Sequence, residues 1–216
     1  MLEKMGEFFD DRLDDYEEHQ LTCIDSAQEF YPFTASCLPQ TSDSNILDLG
    51  CGTGLELAYY FESVPTAKVT GIDLAPGMLE KLRQKYPDRA MTLILGSYFD
   101  VPFDENAFDA AVSVESLHHF TKEEKLSLYR KVRKALKPGG FFILTDYFSI
   151  SDEEERLYRA ELLRLKKEQN IQDNEFYHYD TPLTVDHEKE ALLFAGFSSV
   201  IVLKNWAATY TLKAVR

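Results

Sequence analysis

Short apolar runs alternate along the chain with longer amphipathic segments, and this alternation predicts a parallel sheet whose strands are joined by helices. Strands are predicted at 45–49, 68–73, 91–95, 109–114, 141–148, 199–204 and 207–215. Helices are predicted at about 2–19, 24–37, 55–63, 76–86, 122–136, 152–169 and 185–195. Residues 170–182 follow neither period and are expected to be irregular. This order of elements is typical of an α/β domain with helices on both faces of the sheet.

A glycine-rich stretch follows the first predicted strand. The apolar run contains the acidic Asp48, and glycines follow at positions 50, 52 and 54 before a helical pattern starts at Leu55. A strand, a tight glycine turn and a helix N-terminus form the nucleotide-binding corner of doubly wound sheets. A dinucleotide fingerprint would need a glycine in place of Leu55, so the spacing disfavours a nicotinamide cofactor. Cys51, inside the turn, is interpreted as a small packing residue.

Further signals follow in order along the chain. The second predicted strand ends at Asp73, about 20 residues past the glycine turn, where an acidic side chain can accept both hydroxyls of a ribose. The fourth predicted strand leads into Glu115 and the pair His118 and His119. A Pro-Gly-Gly turn at 138–140 then separates a predicted helix from the fifth strand.

Jointly, these motifs resemble the class I S-adenosylmethionine-dependent methyltransferases over residues 40–150. The resemblance implies S-adenosyl-L-methionine as the cofactor. It also implies a doubly wound, seven-stranded, mostly parallel sheet with a helical cap, in which an antiparallel last strand lies beside strand five. The cofactor residues that it implies are Asp48 for the methionine end, Gly50, Cys51, Gly52 and Gly54 in the close-approach turn, Asp73 for the ribose, Leu74 and Met78 beside the ribose and adenine, and Val114 and Glu115 for the methionine amine.

The expected adenine contact departs from the pattern of this family. Many relatives have Gly-Asp after strand three, whereas this chain has Gly96 followed by Ser97. The Ser97 hydroxyl can still accept a hydrogen bond from the adenine amine, and Tyr98 can add a backbone N–H and a ring contact. Asp100 is expected on the wrong side of this turn.

The resemblance also organises the chain into parts of one domain, 1–216. We expect N-terminal helices over 1–40, a cofactor-binding core over 41–150, a cap segment over 151–183, and a final helix and hairpin over 184–216. A chain of 216 residues with 44% hydrophobic residues is long enough to bury one such core.

Three histidines are the candidate catalytic residues, because imidazole titrates near neutral pH and can act as a general base. They are His118 and His119 after strand four and His178 in the cap. Glu115 is a weaker candidate, since it would need a raised pKa. No metal is expected, because adjacent histidines on a short turn should point apart and no partner carboxylate motif is evident.

The net charge of −14 disfavours a nucleic-acid substrate and favours a small-molecule methyl acceptor. No apolar run is long enough to cross a membrane, and the acidic N-terminus does not resemble a signal peptide. The three cysteines show neither metal spacing nor an even framework, which indicates a reducing cytoplasm. Neither the acceptor atom nor the oligomeric state follows from the sequence.

Two alternatives to a methyltransferase are open. The layout around Phe9-Asp-Asp-Arg12 gives a looser resemblance to carboxy-S-adenosylmethionine synthases. Those enzymes hold a carboxylate with an arginine in the cap, but residues 168–188 of this chain contain neither Arg nor Lys. The other alternative is a non-catalytic domain that binds S-adenosylmethionine.

Overall fold

Seven strands form one sheet in the computed structural model, which describes residues 1–172 and 175–216. The strands are β1 (Asn45–Leu49), β2 (Lys68–Asp73), β3 (Ala90–Leu95), β4 (Phe108–Val114), β5 (Leu136–Tyr147), β6 (Ser199–Trp206) and β7 (Thr209–Val215). Their order is β3-β2-β1-β4-β5-β7-β6. The first five are parallel, whereas β7 is antiparallel to both β5 and β6. The predicted doubly wound sheet, with its antiparallel last strand beside strand five, is confirmed.

Helices cover both faces of this sheet. They are α1 (Met5–Asp10), α2 (Tyr16–Cys23), α3 (Ala27–Cys37), α4 (Leu55–Ser63), α5 (Pro76–Lys85), α6 (Lys122–Ala135), α7 (Asp152–Glu168) and α8 (Val185–Phe194). The local sequence explains where several of these helices begin. Pro76 occupies the first turn of α5, the Ser151 hydroxyl accepts from the amide of Glu154 in α7, and Thr121 forms a capping box with Glu124 in α6.

The core lies in two layers, one on each side of the sheet. On one face, Tyr60 of α4 and Phe30 of α3 pack against strand residues such as Ile46, and all three are fully buried. On the other, Tyr129 of α6 packs against Phe142 of β5. Burying each such side chain stabilises the fold by roughly 1.5–3 kcal/mol. The sheet is therefore held from both sides, and its exposed strand ends are left to form a site.

The strand order reverses between β1 and β4, because β2 lies on one side of β1 and β4 on the other. Loops leaving the carboxyl ends of β1 and β4 turn in opposite directions and open a crevice, which is where open α/β sheets bind ligands. The glycine turn after β1 and the histidine pair after β4 both border this crevice.

The single N-terminal helix expected over 2–19 is wrong. The structure has two helices, α1 and α2, joined by a turn at 11–15. Acidic residues explain the break, because Asp10, Asp11, Asp14 and Asp15 disfavour the C-terminal end of one helix and favour the N-terminus of the next. The Asp10 carboxylate also accepts a hydrogen bond from the Gly77 amide at 2.9 Å, which ties α1 to α5.

Two other boundaries differ from the prediction. β5 begins at Leu136 rather than near Phe141, because Leu136 already pairs with Phe108 of β4 across an irregularity in register. The irregular segment expected at 170–182 includes residues 173 and 174, which lie outside the described residues. Its described part pairs Tyr177 with Lys4 in an isolated bridge. The division into four parts remains a prediction. No helix in the described ranges has both the length and the apolar character to span a bilayer.

Candidate active site

The glycine turn after β1 takes backbone conformations that other residues rarely adopt. Gly50, Gly52 and Gly54 all have positive φ, at 72°, 47° and 71°. A Cβ on Gly50 would lie 2.2 Å from the Ser116 hydroxyl oxygen, and one on Gly54 would lie 2.6 Å from a methyl carbon of Leu82. The turn is thus closely packed against neighbouring elements, and only glycine satisfies both its conformation and its surroundings.

Asp73, at the end of β2, holds the glycine turn in place. Its Oδ2 accepts from the Gly52 amide at 2.8 Å, and its Oδ1 accepts from the Ala75 amide at 2.9 Å. Burial raises the pKa of this carboxyl group. Each oxygen retains a further lone pair, so the same carboxylate can accept two ribose hydroxyls.

A second buried carboxyl group lies beside Asp48, and the sequence analysis missed it. Glu56, in the first turn of α4, is 4% exposed, and Asp48 is 1% exposed. Asp48 Oδ2, Glu56 Oε1 and Thr53 Oγ1 are all buried without a hydrogen-bond partner. Burial and the neighbouring Glu56 raise the pKa of Asp48, and burial raises the pKa of Glu56. These two carboxyl groups share a buried environment behind the glycine turn and line neither of the cavities described below.

Several predicted cofactor residues come together in a narrow cavity of about 50 Å³ beside the glycine turn. Those that line it are Gly50, Asp73, Leu74, Met78, Tyr98, Val114 and Glu115. Met5 of α1 and Tyr16 of α2 line it as well, so the N-terminal helices narrow the crevice. Asp48, Gly52 and Gly54 do not line it and instead shape the turn behind it.

Two of the remaining predictions are placed differently. Ser97 lines an adjacent cavity of about 570 Å³, and Asp100, which was expected on the wrong side of the turn, lines that same cavity. Cys51 is 3% exposed, and its sulfur lies 2.7 Å from the position that a Cβ on Gly71 would take. The Cys51 side chain therefore packs against β2, as a small packing residue.

A larger cavity of about 750 Å³, here called the acceptor cavity, lies on the other side of Glu115 and His119. Five parts of the chain build it: helix α1, helix α2, the short 3₁₀ helix Leu117–His119 after β4, the end of β5 at Tyr147, and the cap residues His178 and Asp180. Phe9, Tyr16, Glu115 and His119 line both this cavity and the narrow one. These shared residues mark where a cofactor and an acceptor would meet.

His118 is held by Asp146, near the end of β5. His118 Nδ1 lies 2.5 Å from Asp146 Oδ1, and Asp146 Oδ2 accepts from the amides of Leu117 and His118 at 2.8 and 3.0 Å. Burial alone would lower the pKa of His118, but the charge of Asp146 outweighs it and raises that pKa to about 9. His118 is therefore an imidazolium at neutral pH and is not available as a base.

His119 has the opposite electrostatic environment. Burial and the adjacent His118 charge lower the pKa of His119 to about 4, so this imidazole is neutral. Its Nδ1 lies 2.9 Å from Asp180 Oδ1. The two atoms are not aligned for a hydrogen bond, and both are buried without another partner. Burial would raise the pKa of Asp180, but its contacts with His119 and His118 keep it below the usual range.

Glu115 stands between the two cavities in an unusual backbone conformation. Its φ is +48°, a left-handed value that is costly for a residue with a side chain. Its Oε1 is buried without a partner. Burial and the charge of Asp146 raise the pKa of Glu115 to about 8. Glu115 is expected here from the sequence, but only the fold shows that its pKa is raised.

His178 is the least favourable of the three candidate bases. Its ring stacks on Phe8 of α1, with centroids 3.5 Å apart. Burial lowers the pKa of His178. It lines the acceptor cavity but not the narrow one, so it lies in the wall away from the junction.

The expectation that adjacent histidines point apart is wrong. The rings of His118 and His119 are 4.0 Å apart, and Asp180 approaches both, at 3.6 Å from His118 Nε2 and 2.9 Å from His119 Nδ1. Ligand-type atoms of these three residues lie within 4.8 Å of one another. These three residues could therefore share a metal ion, and the absence of a metal stays a prediction.

Comparison with curated proteins gives partial matches. Residues 46–140 match the family model described as a methyltransferase domain. The biotin biosynthesis bifunctional protein BioHC of Teredinibacter turnerae is 30% identical over 190 residues, which cover 84% of this chain and 30% of that protein. The fatty-acid O-methyltransferase of Mycolicibacterium smegmatis is 30% identical over 125 residues, 56% of this chain and 45% of that protein. The chain therefore spans less than half the length of both relatives.

Among solved structures, a complex of DhpI with SAH has a TM-score of 0.72 at 17% identity, covering 96% of this chain and 93% of that one. Human N-acetylserotonin methyltransferase, in complex with SAM, has a TM-score of 0.61 at 21% identity, covering 87% and 51%. Identities this low establish a shared fold and no more.

Proposed function

We propose that this chain, as a member of the class I S-adenosylmethionine-dependent methyltransferase family, transfers a methyl group to a small-molecule acceptor. Its cofactor is S-adenosylmethionine. The junction of the two cavities carries the proposal, because Phe9, Tyr16, Glu115 and His119 line both of them. An acceptor in the larger cavity can reach a methyl group presented from the narrow one only at this junction.

The residues around the glycine turn suit the cofactor. Val114 and Glu115, at the end of β4, line the narrow cavity where the methionine end of the cofactor would lie. Asp73 offers two oxygens to ribose hydroxyls, and Ser97 and Asp100 line the neighbouring space that an adenine ring would use. When bound, the cofactor supplies a methyl group already activated on a sulfonium. The protein therefore contributes mainly orientation and exclusion of water.

His119 is the base that we propose for the acceptor proton. Of the three candidate histidines, it alone lines both cavities, and it is neutral. Asp180 lies 2.9 Å from its Nδ1 and would stabilise the imidazolium that forms when His119 takes the proton. Glu115 is the competing base, because a pKa of about 8 is closer to neutral pH than that of His119.

A carboxy-S-adenosylmethionine synthase is less well supported, because it needs a cation for a carboxylate. Arg12 does line the acceptor cavity. However, both of its terminal nitrogens already donate to Glu3 at 3.2 Å, and one also donates to the Phe8 carbonyl at 3.0 Å. Its charge is therefore engaged within the N-terminal segment.

The test is turnover with labelled S-adenosylmethionine, followed as release of S-adenosylhomocysteine across a panel of small acceptors. We expect acceptor-dependent release, together with binding of both sulfur ligands in isothermal titration. Cofactor binding with no acceptor-dependent release across the panel would instead support a non-catalytic binding domain. Absence of cofactor binding would contradict the proposal at its first step.

A further inference from the structure

The acceptor cavity is rich in carboxylates. Five acidic residues line it: Asp11, Asp15, Asp25, Glu115 and Asp180. Among the described residues that line it, Arg12 is the only lysine or arginine. Arg12 is paired with Glu3, and the imidazolium of His118 is paired with Asp146. Asp180 lies 3.6 Å from the Nε2 of that imidazolium. Asp11, Asp15 and Asp25 are thus left without a compensating cation, so the outer part of the cavity is anionic.

Three of the aspartates surround the mouth of this cavity. Asp11 and Asp15 belong to the turn between α1 and α2, and Asp25 lies between α2 and α3. All three are exposed, and none makes an ion pair with another part of the described chain. Carboxylates of one sign around a concave, low-dielectric opening focus the field there and raise the local concentration of cations.

The floor of the cavity offers a second, independent indication of a ligand. His119 is 7% exposed, and its Nδ1 has no hydrogen-bond partner. Asp180 Oδ1 beside it is also buried and unpartnered. Buried polar atoms left without partners are costly, and a ligand that reaches the floor would satisfy them.

The walls between mouth and floor are aromatic. Phe9 and Tyr16 are in edge contact, with ring centroids 6.2 Å apart, and Tyr147 lies against the His118 ring at 4.6 Å. The Arg12 guanidinium already lies 3.7 Å above the Phe8 ring, which shows that a cation is accommodated on an aromatic face in this wall. Aromatic faces attract organic cations electrostatically through the quadrupole of the ring.

We infer that the methyl acceptor is an organic cation, a small molecule with a protonated amine that sits among Asp11, Asp15 and Asp25 while its nucleophilic atom reaches His119. The inference rests on the proposed methyltransferase activity and specifies the substrate class. A volume of about 750 Å³ lies within the range of small-molecule sites. An acceptor with a free carboxylate in place of the amine would instead face the same aspartates and be repelled.

The experiment uses matched triplets of small acceptors on many scaffolds, each with an ammonium, a neutral and a carboxylate member. Release of S-adenosylhomocysteine is measured for every member with the full chain. We expect the ammonium members to react with ~10-fold or higher kcat/KM than their carboxylate partners, and we expect this advantage to shrink as salt is added.

Variants of the aspartates at the cavity mouth then test whether these residues cause the preference for ammonium acceptors. The double substitution Asp15→Asn with Asp25→Asn should raise KM for the ammonium members several-fold with little change in kcat. Asp14→Asn is the matched control, because Asp14 is an exposed neighbour of Asp15 that does not line the cavity. An unchanged KM in the double variant, or an equal change in the control, would remove the aspartates from the account.

Failure of the inference is distinguishable from failure of the proposed function. Cofactor binding with carboxylate or neutral members that react as efficiently as their ammonium partners, or with no reaction of any ammonium member, overturns the cationic acceptor and leaves the cofactor site standing. Loss of cofactor binding itself would overturn the proposed function.

Discussion

The two halves of the site differ in how the chain builds them. The cofactor half comes from strand ends and the turns that directly follow them, such as Asp48 with the glycine turn and Asp73 at the end of β2. The acceptor half joins α1 and α2, residues 117–119, Tyr147 and the cap, which are far apart in sequence. The first half carries a recognisable motif, whereas the second is defined by burial and charge.

The difference extends to electrostatics. In the cofactor half, burial raises the pKa values of Asp48 and Glu56, which lie behind the glycine turn and line neither cavity. In the acceptor half, two neighbouring histidines have opposite pKa shifts, because Asp146 lies against His118 whereas His119 is buried beside a positive charge. Pairs of titratable groups whose pKa values are pushed apart are typical of sites that move protons.

The largest expected effect is in the acceptor half. His119→Gln should lower turnover by ~10²–10⁴-fold and leave S-adenosylmethionine affinity unchanged, because it removes a proton acceptor without touching the glycine turn. Steady-state kinetics and isothermal titration measure the two effects separately. His187→Gln is the control, since His187 also contacts a carboxylate, Glu155 at 2.8 Å, but lines neither cavity. Turnover within a few-fold of the original chain would leave positioning alone as the source of catalysis.

The pH profile identifies which group is the base. If His119 acts with its lowered pKa, kcat/KM should stay level down to about pH 4 before it falls. If Glu115 acts, kcat/KM should begin to fall at about pH 8 as the carboxylate takes up a proton. Glu115→Gln would remove the fall of kcat/KM near pH 8 but would not affect a fall near pH 4. The variant and the pH profile together therefore show which residue is the base.

The next effect is in the cofactor half. Asp73→Ala should weaken S-adenosylmethionine binding by roughly 1–3 kcal/mol, or about 5–150-fold, because it removes charge-assisted hydrogen bonds from a buried site. Asp73 also accepts from the Gly52 and Ala75 amides, so thermal unfolding without cofactor should be measured in parallel. Asp73→Asn keeps one side-chain acceptor and should lose less affinity. An unchanged dissociation constant in both variants would withdraw the ribose role.

A smaller effect concerns stability and pH. Because the pKa values of Asp48 and Glu56 are raised in the folded state, the folded chain retains a proton that the unfolded chain has released above its ordinary carboxyl pKa. The free energy of unfolding should therefore fall with rising pH in that window, by up to about 1.4 kcal/mol per pH unit. Glu56→Gln should flatten this slope.

Denaturant unfolding across the pH range measures that slope. Glu62→Gln is the control, because Glu62 is an exposed residue of the same helix. A slope that is equal in the original chain and in Glu56→Gln would contradict a shared buried proton.

The last prediction is that removing metal ions has no effect on turnover. Treatment with a chelator should leave turnover unchanged, although His118, His119 and Asp180 have ligand atoms within 4.8 Å of one another. Activity lost on chelation and restored by a divalent ion would replace the proton-acceptor role of His119 with that of a metal ligand.

The sequence alone predicted the doubly wound, mostly parallel sheet with its antiparallel last strand beside strand five, and it indicated most residues of the cofactor half. Glycines at 50, 52 and 54, Asp48 and Asp73 carry that information because their roles depend on local backbone geometry and on position after a strand. Seven of the predicted cofactor residues line the narrow cavity, and Cys51 packs as expected. Periodicity failed at the break between α1 and α2, where the placement of acidic residues outweighs a continuous helical pattern.

Only the tertiary structure decided the acceptor half. Asp146 and Asp180 are unremarkable in sequence, yet one holds His118 charged and the other faces His119. Glu56 was missed because an acidic residue in the first turn of a helix is ordinarily a solvated partner of the helix dipole, and only packing shows it buried beside Asp48. A pKa, a cavity and a charge excess depend on what surrounds a residue in space, and a linear chain does not specify those neighbours.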